Sequence, residues 1–365
     1  MAVPPYGPTD AAAPAAPPDR SARPRRPSRR GSAISTPARP SAGRPEPEAG
    51  TLAATGEFAV IAAVVAGSAQ VPTTLLGPGD DGAVVSAADG RVVASVDVLV
   101  DGVHFRTDWA SAEQIGRRAA LASMADIAAM GAVPTALLVG VCAPPTLATA
   151  WIAEVGRGLQ AAAAEAGAAV VGGDLTRSDV LTLSVTVLGD LAGRPPVVRS
   201  GAGVGDVVAV AGRLGWAAAG LAVLSRGFRS PVAAVSAYRV PEPPLAAGPQ
   251  AALAGATSMI DISDGLLADL GHVARASGVG IDLHAADLPV TPRLVEVASA
   301  LGRTWQEWVL TGGDDHALVA TFPAGVPLPD GWTAIGSVGP TPEQGPAVTL
   351  DGVGWESAAG WDHFG

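Results

Sequence analysis

The spacing of apolar positions switches repeatedly along this chain, and the switches predict alternating strands and helices. From Phe58 to Ala66 the spacing is helical and is closed by Gly67. Ala83 to Val85 and, beyond a turn at Ala88-Asp89-Gly90, Arg91 to Val100 predict a hairpin, with the loop Gly77-Pro78-Gly79-Asp80-Asp81-Gly82 at its mouth. Ala112 to Met130 predicts a helix, Thr135 to Val141 a buried strand, and Trp151 to Ala166 a helix stopped by Gly167. A strand at Ala168 to Val171 is expected to end in a glycine turn, Gly172-Gly173-Asp174-Leu175-Thr176-Arg177, before the alternating strand Leu181 to Leu188. Gly189 to Pro196 reads as a linker between two halves.

The second half repeats this grammar. A strand at Val207 to Ala211 precedes an alanine-rich helix at Trp216 to Leu224, and Tyr238 to Gly248 is a proline-rich loop. Met259 to Asp261 predicts a strand end, Ser263 a helix N-cap, and Leu266, Leu267, Leu270, Val273 and Ala274 a helix face, so Asp264 falls in the first helical turn. Leu310 to Leu318 reads as a late strand running into a Gly312-Gly313-Asp314-Asp315 turn. The pattern divides the chain into a tail over residues 1–50 and two α/β halves, 51–192 and 193–365.

Several acids sit where ligands bind. Asp261 ends a strand and Asp264 lies in the following turn, where a helix dipole favours an anion; a capped helix with solvated acids fits the same residues. Asp126 is more specific. Ile115, Ala119, Ala122, Asp126, Ala129 and Met130 form one stripe of the 112–130 helix, so a carboxylate interrupts an apolar face. Such a group must find a partner, take up a proton, bind a cation or look into a wet cleft. Asp174, Thr176 and Arg177 are expected together on the glycine turn, where amides can approach a phosphate while Asp174 holds a metal. The ending Gly360-Trp361-Asp362-His363-Phe364 suits either an aromatic lid or core packing.

Composition removes whole classes of function. The first 50 residues are mostly Pro, Ala, Ser, Gly and Arg with no buriable face, and read as a solvated, disordered tail rather than a signal or transit peptide. Its eight Arg and four acids make it +4, so the chain's net −11 leaves −15 for the remainder, which argues against a nucleic-acid surface. No apolar run approaches the roughly 18 residues needed to span a membrane. The single Cys142 precludes an intramolecular disulfide and fits a reducing cytoplasm. All 23 basic residues are Arg, so P-loop, protein-kinase and Schiff-base chemistry, each dependent on a Lys, are excluded.

Assembled, these segments resemble the thiamine-monophosphate kinase family, within the aminoimidazole-ribonucleotide-synthetase-like superfamily, over about residues 55 to 364. The resemblance rests on Gly79-Asp80-Asp81, on Asp97 through Gly102-Val103-His104-Phe105, on Ser123 through Ala132 with Asp126 at its centre, and on Gly172-Gly173-Asp174 with Thr176-Arg177. It continues in Arg199-Ser200-Gly201-Ala202, Ile260 to Leu266, and Gly312-Gly313-Asp314-Asp315. It implies an α/β (α+β) two-domain synthetase-like fold, with an N-terminal α/β domain whose sheet forms a homodimer interface, a C-terminal α/β domain, and ATP between them. The implied reaction is in-line transfer of the ATP γ-phosphoryl to thiamine monophosphate on several Mg²⁺ ions.

By resemblance the metal positions are Asp81, Ser95, Val96 through its backbone, Asp97, Asp126, Asp174, Asp261 and Asp264, with Asp126, Asp261 and Asp264 catalytic. Gly173, Asp174, Arg199 and Ser263 match ATP contacts, and His104, Asp314 and Trp361 match contacts to the thiamine phosphate. The chain departs from the family where Asp314, His316 and Ala317 replace the usual Glu, Tyr and Glu, and where Val96 replaces a common Thr. A superfamily synthetase or cyclase and a non-catalytic nucleotide-binding regulator are the competing readings. The six metal carboxylates count against the regulator, and an ending without cysteine counts against a hydrogenase-maturation dehydratase.

Overall fold

A computed structural model describes residues 48–65, 69–78, 83–355 and 359–360, without the side chains of Glu57 and Phe58. Most of the expected tail, together with Asp80, Asp81 and Trp361, lies outside the described residues. The first half contains α1 (Leu52–Thr55), α2 (Glu57–Val65), β1 (Thr74–Leu76), β2 (Val84–Val85), β3 (Val93–Val100), α3 (Ala112–Ala129), β4 (Val133–Ala143), α4 (Thr149–Glu165), β5 (Ala169–Arg177) and β6 (Thr182–Asp190). Four of its strands form a sheet in the order β3-β6-β4-β5, with β4 and β5 parallel and the other neighbours antiparallel.

Period-two side-chain alternation gives this sheet two unlike faces. Leu183, Val185 and Val187 of β6 turn to a core with Ile115, Ala119, Met124 and Ile127 of α3 and Val155 and Leu159 of α4. On the other face Val96 and Val98 are about half exposed, at 58% and 50%. Helix α3 begins with a capping box in which Ser111 and Gln114 satisfy each other's backbone amides. Its crossing with α4 is set by glycine: a Cβ on Gly116 would lie 2.1 Å from the Val155 carbonyl, and one on Gly158 2.0 Å from that of Glu113.

The second half contains β7 (Val207–Ala211), α5 (Trp216–Ser225), α6 (Val232–Arg239), α7 (Ala247–Leu253), β8 (Ser258–Asp261), α8 (Leu266–Ser277), β9 (Gly280–Leu283), α9 (Pro292–Ala300), α10 (Trp305–Thr311), β10 (Leu318–Phe322), β11 (Trp332–Gly339), β12 (Ala347–Leu350) and β13 (Val353–Gly354). Its sheet runs β13-β12-β9-β11-β7-β10-β8, antiparallel except where β12 meets β9. Helices α5 and α8 share the core beneath it, and β7, β8 and β10 are almost wholly buried. Residues 46–365 are one compact unit. No described helix is long and apolar enough to cross a membrane.

Three expected local structures are corrected. The hairpin joining residues 83–85 to 91–100 does not form: β2 pairs with β1, while β3 pairs with β6 over its full length. An eight-residue ladder on an alternating strand outweighs what two residues can offer. Gly172-Gly173-Asp174 is not a turn but the middle of β5, in parallel register with Leu138, Val139 and Gly140. The glycines serve close strand approach, since a Cβ on Gly173 would lie 2.1 Å from the Val139 carbonyl oxygen. Finally, Leu310 and Thr311 end helix α10 rather than a strand; Thr304 caps that helix by accepting from the Glu307 amide.

The α3–α4 contact is therefore expected to reject side chains. Gly158→Ala should cost about 1–3 kcal/mol by overpacking against the Glu113 carbonyl. Thermal unfolding checks this; an unchanged midpoint would mean that the helices can separate freely.

Candidate active site

Strand β3, helix α3 and the end of β8 bring their acids together. Ser95 and Asp97 project from one face of β3 toward α3, and the Ser95 hydroxyl donates to Asp126 Oδ2 at 2.6 Å. Burial first, and then the charges of Asp261 and Asp97, raise the Asp126 carboxyl from 3.8 to about 6 against the opposing Ser95 hydrogen bond and His316. The acids are thus close enough to repel. Asp261, buried at the end of β8, is held by His316, whose Nδ1 lies 3.1 Å from Asp261 Oδ2. Burial pulls the His316 pKa down, but the hydrogen bond and charge of Asp261, with that of Asp314, leave it raised.

The 262–265 turn is built differently from the sequence expectation. Ser263 is not the N-cap and Asp264 is not in the first helical turn, because α8 begins at Leu266 with Gly265 as its cap residue. The capping acceptor is Asp269, from inside the helix: its Oδ2 accepts the amides of Ser263, Asp264 and Gly265 at 3.0, 3.1 and 3.0 Å. A buried carboxylate collecting three amides outcompetes a serine hydroxyl that can take one. Burial and the nearby Asp261 push the Asp269 carboxyl up to about 7 despite the amides of Gly265 and Asp264.

The late motif is locked against this turn. Asp314 and His316 donate their amides to the carbonyls of Ser263 and Ile262 at 2.9 and 3.0 Å. A Cβ on Gly313 would lie 2.1 Å from the Ser263 carbonyl oxygen, so only glycine permits the approach. Between them Asp315 turns inward, where its carboxylate accepts the amides of Gly215 and Ala217 at the start of α5. Burial raises Asp315 to about 7 against those two hydrogen bonds. Asp314 is partly exposed and pairs with Arg118 of α3 at 2.8 Å.

The Arg199 turn packs at the C-terminal end of α8, where the Ser277 hydroxyl donates to the Arg199 carbonyl at 2.9 Å, and against Thr257 before β8; the His272 pKa is lowered by burial, then by Arg275 and Arg199, while Asp264 opposes. His104 follows β3, and its Nδ1 accepts the Val100 amide at 3.0 Å, which puts the ring proton on Nε2. Trp361 is outside the described residues, but Gly360 before it packs against the Asp264 carbonyl, which a Cβ there would approach to 2.5 Å. Asp174 is not brought to the cluster. Its register partner is Gly140, whereas Asp97 aligns with Val185, Val139 and Gly173, so Asp174 stands on the other face of the sheet. Alternation likewise separates Asp174 and Thr176 from Arg177. The Val96 side chain also points away from the acids, and Asp81 lies outside the described residues.

Among the described residues no three Asp, Glu, His or Cys side chains already stand close enough together to enclose a cation. The donor set nonetheless suits Mg²⁺: Asp126, Asp97 and Asp261 are hard oxygen ligands whose mutual repulsion a divalent ion would relieve.

Residues 79–191 match the family described as AIR synthase related protein, N-terminal domain. The chain is 49% identical over 320 residues to the thiamine-monophosphate kinase of Mycobacterium tuberculosis, covering 87% of this chain and 94% of that protein. It superposes on the Stenotrophomonas maltophilia thiamine-monophosphate kinase with a TM-score of 0.68 and 31% identity, covering 81% and 95% of the two chains. With the structure described as AaThiL complexed with AMPPCP and TMP the TM-score is 0.70 at 30% identity, covering 85% and 97%.

Because the Asp126 carboxyl is raised above its unfolded value, the native state binds its proton more tightly, and ionisation costs stability that is regained below pH 6 and toward 3.8. Asp126→Asn should therefore raise the melting temperature of cation-free protein at pH 8, each kcal/mol being worth roughly 2 °C or more in a domain of this size. The gain should shrink as pH approaches 4. A melting temperature that falls at pH 8, or a gain that ignores pH, would contradict the crowding.

Proposed function

The chain belongs to the thiamine-monophosphate kinase family, and its activity is the ATP-dependent phosphorylation of thiamine monophosphate; on that premise we propose that the transfer is direct and in line, and that this chain's acids carry it. The observation that carries this reading is the crowding of Asp126 by Asp97 and Asp261 from three separate elements. An acceptor phosphate is already anionic near neutral pH, so it needs no strong base. What it needs is to be held in line with a second anion that repels it.

Asp97, Asp126 and Asp261 would hold Mg²⁺, with Asp264, Asp81 and the backbone of Val96 completing the sites and Ser95 orienting Asp126. When bound, the ions supply charge neutralisation for the two phosphate groups. The amides of Ser263 and Asp264 are already committed to Asp269, so this turn would offer ATP its Ser263 hydroxyl, while Arg199, from the turn at the other end of α8, would offer a guanidinium fork. Gly173 would contact ATP through its backbone, since the space beside its Cα is taken by the Val139 carbonyl of β4. His104, Asp314 and Trp361 would take the ring-bearing acceptor, with Asp314 supplying negative charge toward the cationic thiazolium.

The half-exposed Val96 and Val98 face, together with Leu138, supports a homodimer through the four-stranded sheet. Asp174 is on that same face, so a metal or ATP role for it depends on what the dimer brings there. We take 51–192 and 193–365 as the two functional halves, and the lone Cys142 as consistent with a reducing cytoplasm.

Purified protein given Mg²⁺-ATP and thiamine monophosphate is expected to form thiamine diphosphate and ADP. Asp261→Asn should reduce kcat by at least about a hundredfold, as loss of a group acting only on the transition state does. Separation of the products by chromatography checks both. ATP consumption with another acceptor and no diphosphate from thiamine monophosphate would refute the assignment.

A further inference from the structure

Helix α3 presents a second charged residue inward besides Asp126. Arg118, two turns earlier, has a side chain only 4% exposed. One guanidinium nitrogen donates to the Tyr238 carbonyl, another pairs with Asp314 Oδ1 at 2.8 Å, and the group lies over the Tyr238 ring, 5.0 Å from its centroid. The ring is itself fixed: Tyr238 meets Trp109 edge-on at 5.7 Å, Arg106 lies 4.3 Å over Trp109, and Arg239 Nε donates to the Trp109 carbonyl. A planar fork is suited to this place, since it can donate to two acceptors and stack at once, which an ammonium cannot.

A buried guanidinium is a costly way to fill a helix interface, and an apolar side chain of similar volume would fill it with no charge to desolvate. The expense is understandable if the partner matters. The Asp314 side chain is 44% exposed, and the residue sits at φ 66°, a left-handed conformation that Asp tolerates but does not prefer. Its amide is bound to the Ser263 carbonyl at 2.9 Å, so the backbone is pinned from one side. The ion pair with Arg118 pins the carboxylate from the other.

We propose that Arg118 is a positioning residue that holds the Asp314 carboxylate in the orientation that receives the cationic, ring-bearing end of the acceptor, and so sets acceptor affinity rather than the rate of phosphoryl transfer. The inference rests on the reading of Asp314 as an acceptor contact. It assigns Arg118 no contact with ATP or with the reacting phosphates.

The test is steady-state kinetics on the full chain for Arg118→Met, Arg118→Lys, Asp314→Asn and the double variant Arg118→Met/Asp314→Asn. Arg118→Met is expected to raise KM for thiamine monophosphate about tenfold, with kcat and KM for ATP within about threefold of the parent. Arg118→Lys should recover part of that loss. Asp314→Asn should raise the same KM, and the double variant should be no worse than the poorer single one, because both act through one contact. If Arg118→Met does not fold, Arg118→Lys combined with Asp314→Asn supplies the same cycle.

Equal losses in every kinetic constant, or additive effects in the double variant, would make Arg118 a packing residue and overturn the inference. If Asp314→Asn raises KM for thiamine monophosphate while neither Arg118 variant does, the positioning role alone falls. If Asp314→Asn leaves that KM unchanged, the reading of Asp314 as an acceptor contact falls, and the inference with it.

Discussion

Asp126 is a carboxylate that the fold has partly removed from water and placed beside two others, and the shape of the site follows from how that repulsion is tolerated. A single acid in that position could be neutralised by a proton or a local Arg. Here the Ser95 hydroxyl lies within hydrogen-bond reach and steadies the charge without cancelling it, His316 is paired with Asp261, and Arg118 of the same helix is committed to Asp314. The three acids come from an edge strand, a helix and the end of a strand in the second sheet, so the strain is spread over elements anchored in separate cores. Such an arrangement is one that a cation would complete, in line with function drawing on a locally unfavourable site.

The surrounding loops are correspondingly rigid. Asp269 gathers three amides to shape the turn that carries Ser263 and Asp264, and Asp315 takes two amides at the head of α5 to shape the neighbouring motif. Gly313 and Gly265 let the two turns touch backbone to backbone; a Cβ on Gly265 would come within 2.9 Å of Thr311. Carboxylates therefore have two distinct uses in this site. Those that collect amides build the frame, and those that repel one another are the ones to which we assign the chemistry. Rigid framing of this kind is what in-line transfer between two anions requires, since misplacement by an ångström is expensive in rate.

Much of this was legible in the chain itself, and the failures have physical reasons. Strand β7 and helices α3 to α5 follow directly from apolar spacing, and the wheel position of Asp126 pointed to the site before any fold was in hand. The same wheel argument, applied to Asp269 between Leu266 and Val273 and to Arg118 between Ile115 and Ala122, would have found two more buried charged residues. Local grammar failed where tertiary contact decides. Glycines at 172 and 173 look like a turn because close strand approach and tight turns need the same residue. Ser263 looks like a cap because nothing local reveals that Asp269 reaches back to take its place. Which face of the sheet Asp174 occupies depends on register, and a β-bulge between Leu137 and Leu138 sets that register.

The central claim is that Asp97, Asp126 and Asp261 form a cation site whose crowding raises the Asp126 carboxyl. Titration calorimetry of Mg²⁺ into the protein at pH 6, repeated in buffers of different ionisation enthalpy, tests it without reference to turnover. The account predicts net proton release on binding, which disappears by pH 8 and in the Asp126→Asn variant. Mg²⁺ binding with no proton release at pH 6, or with release unaltered by Asp126→Asn, would contradict it.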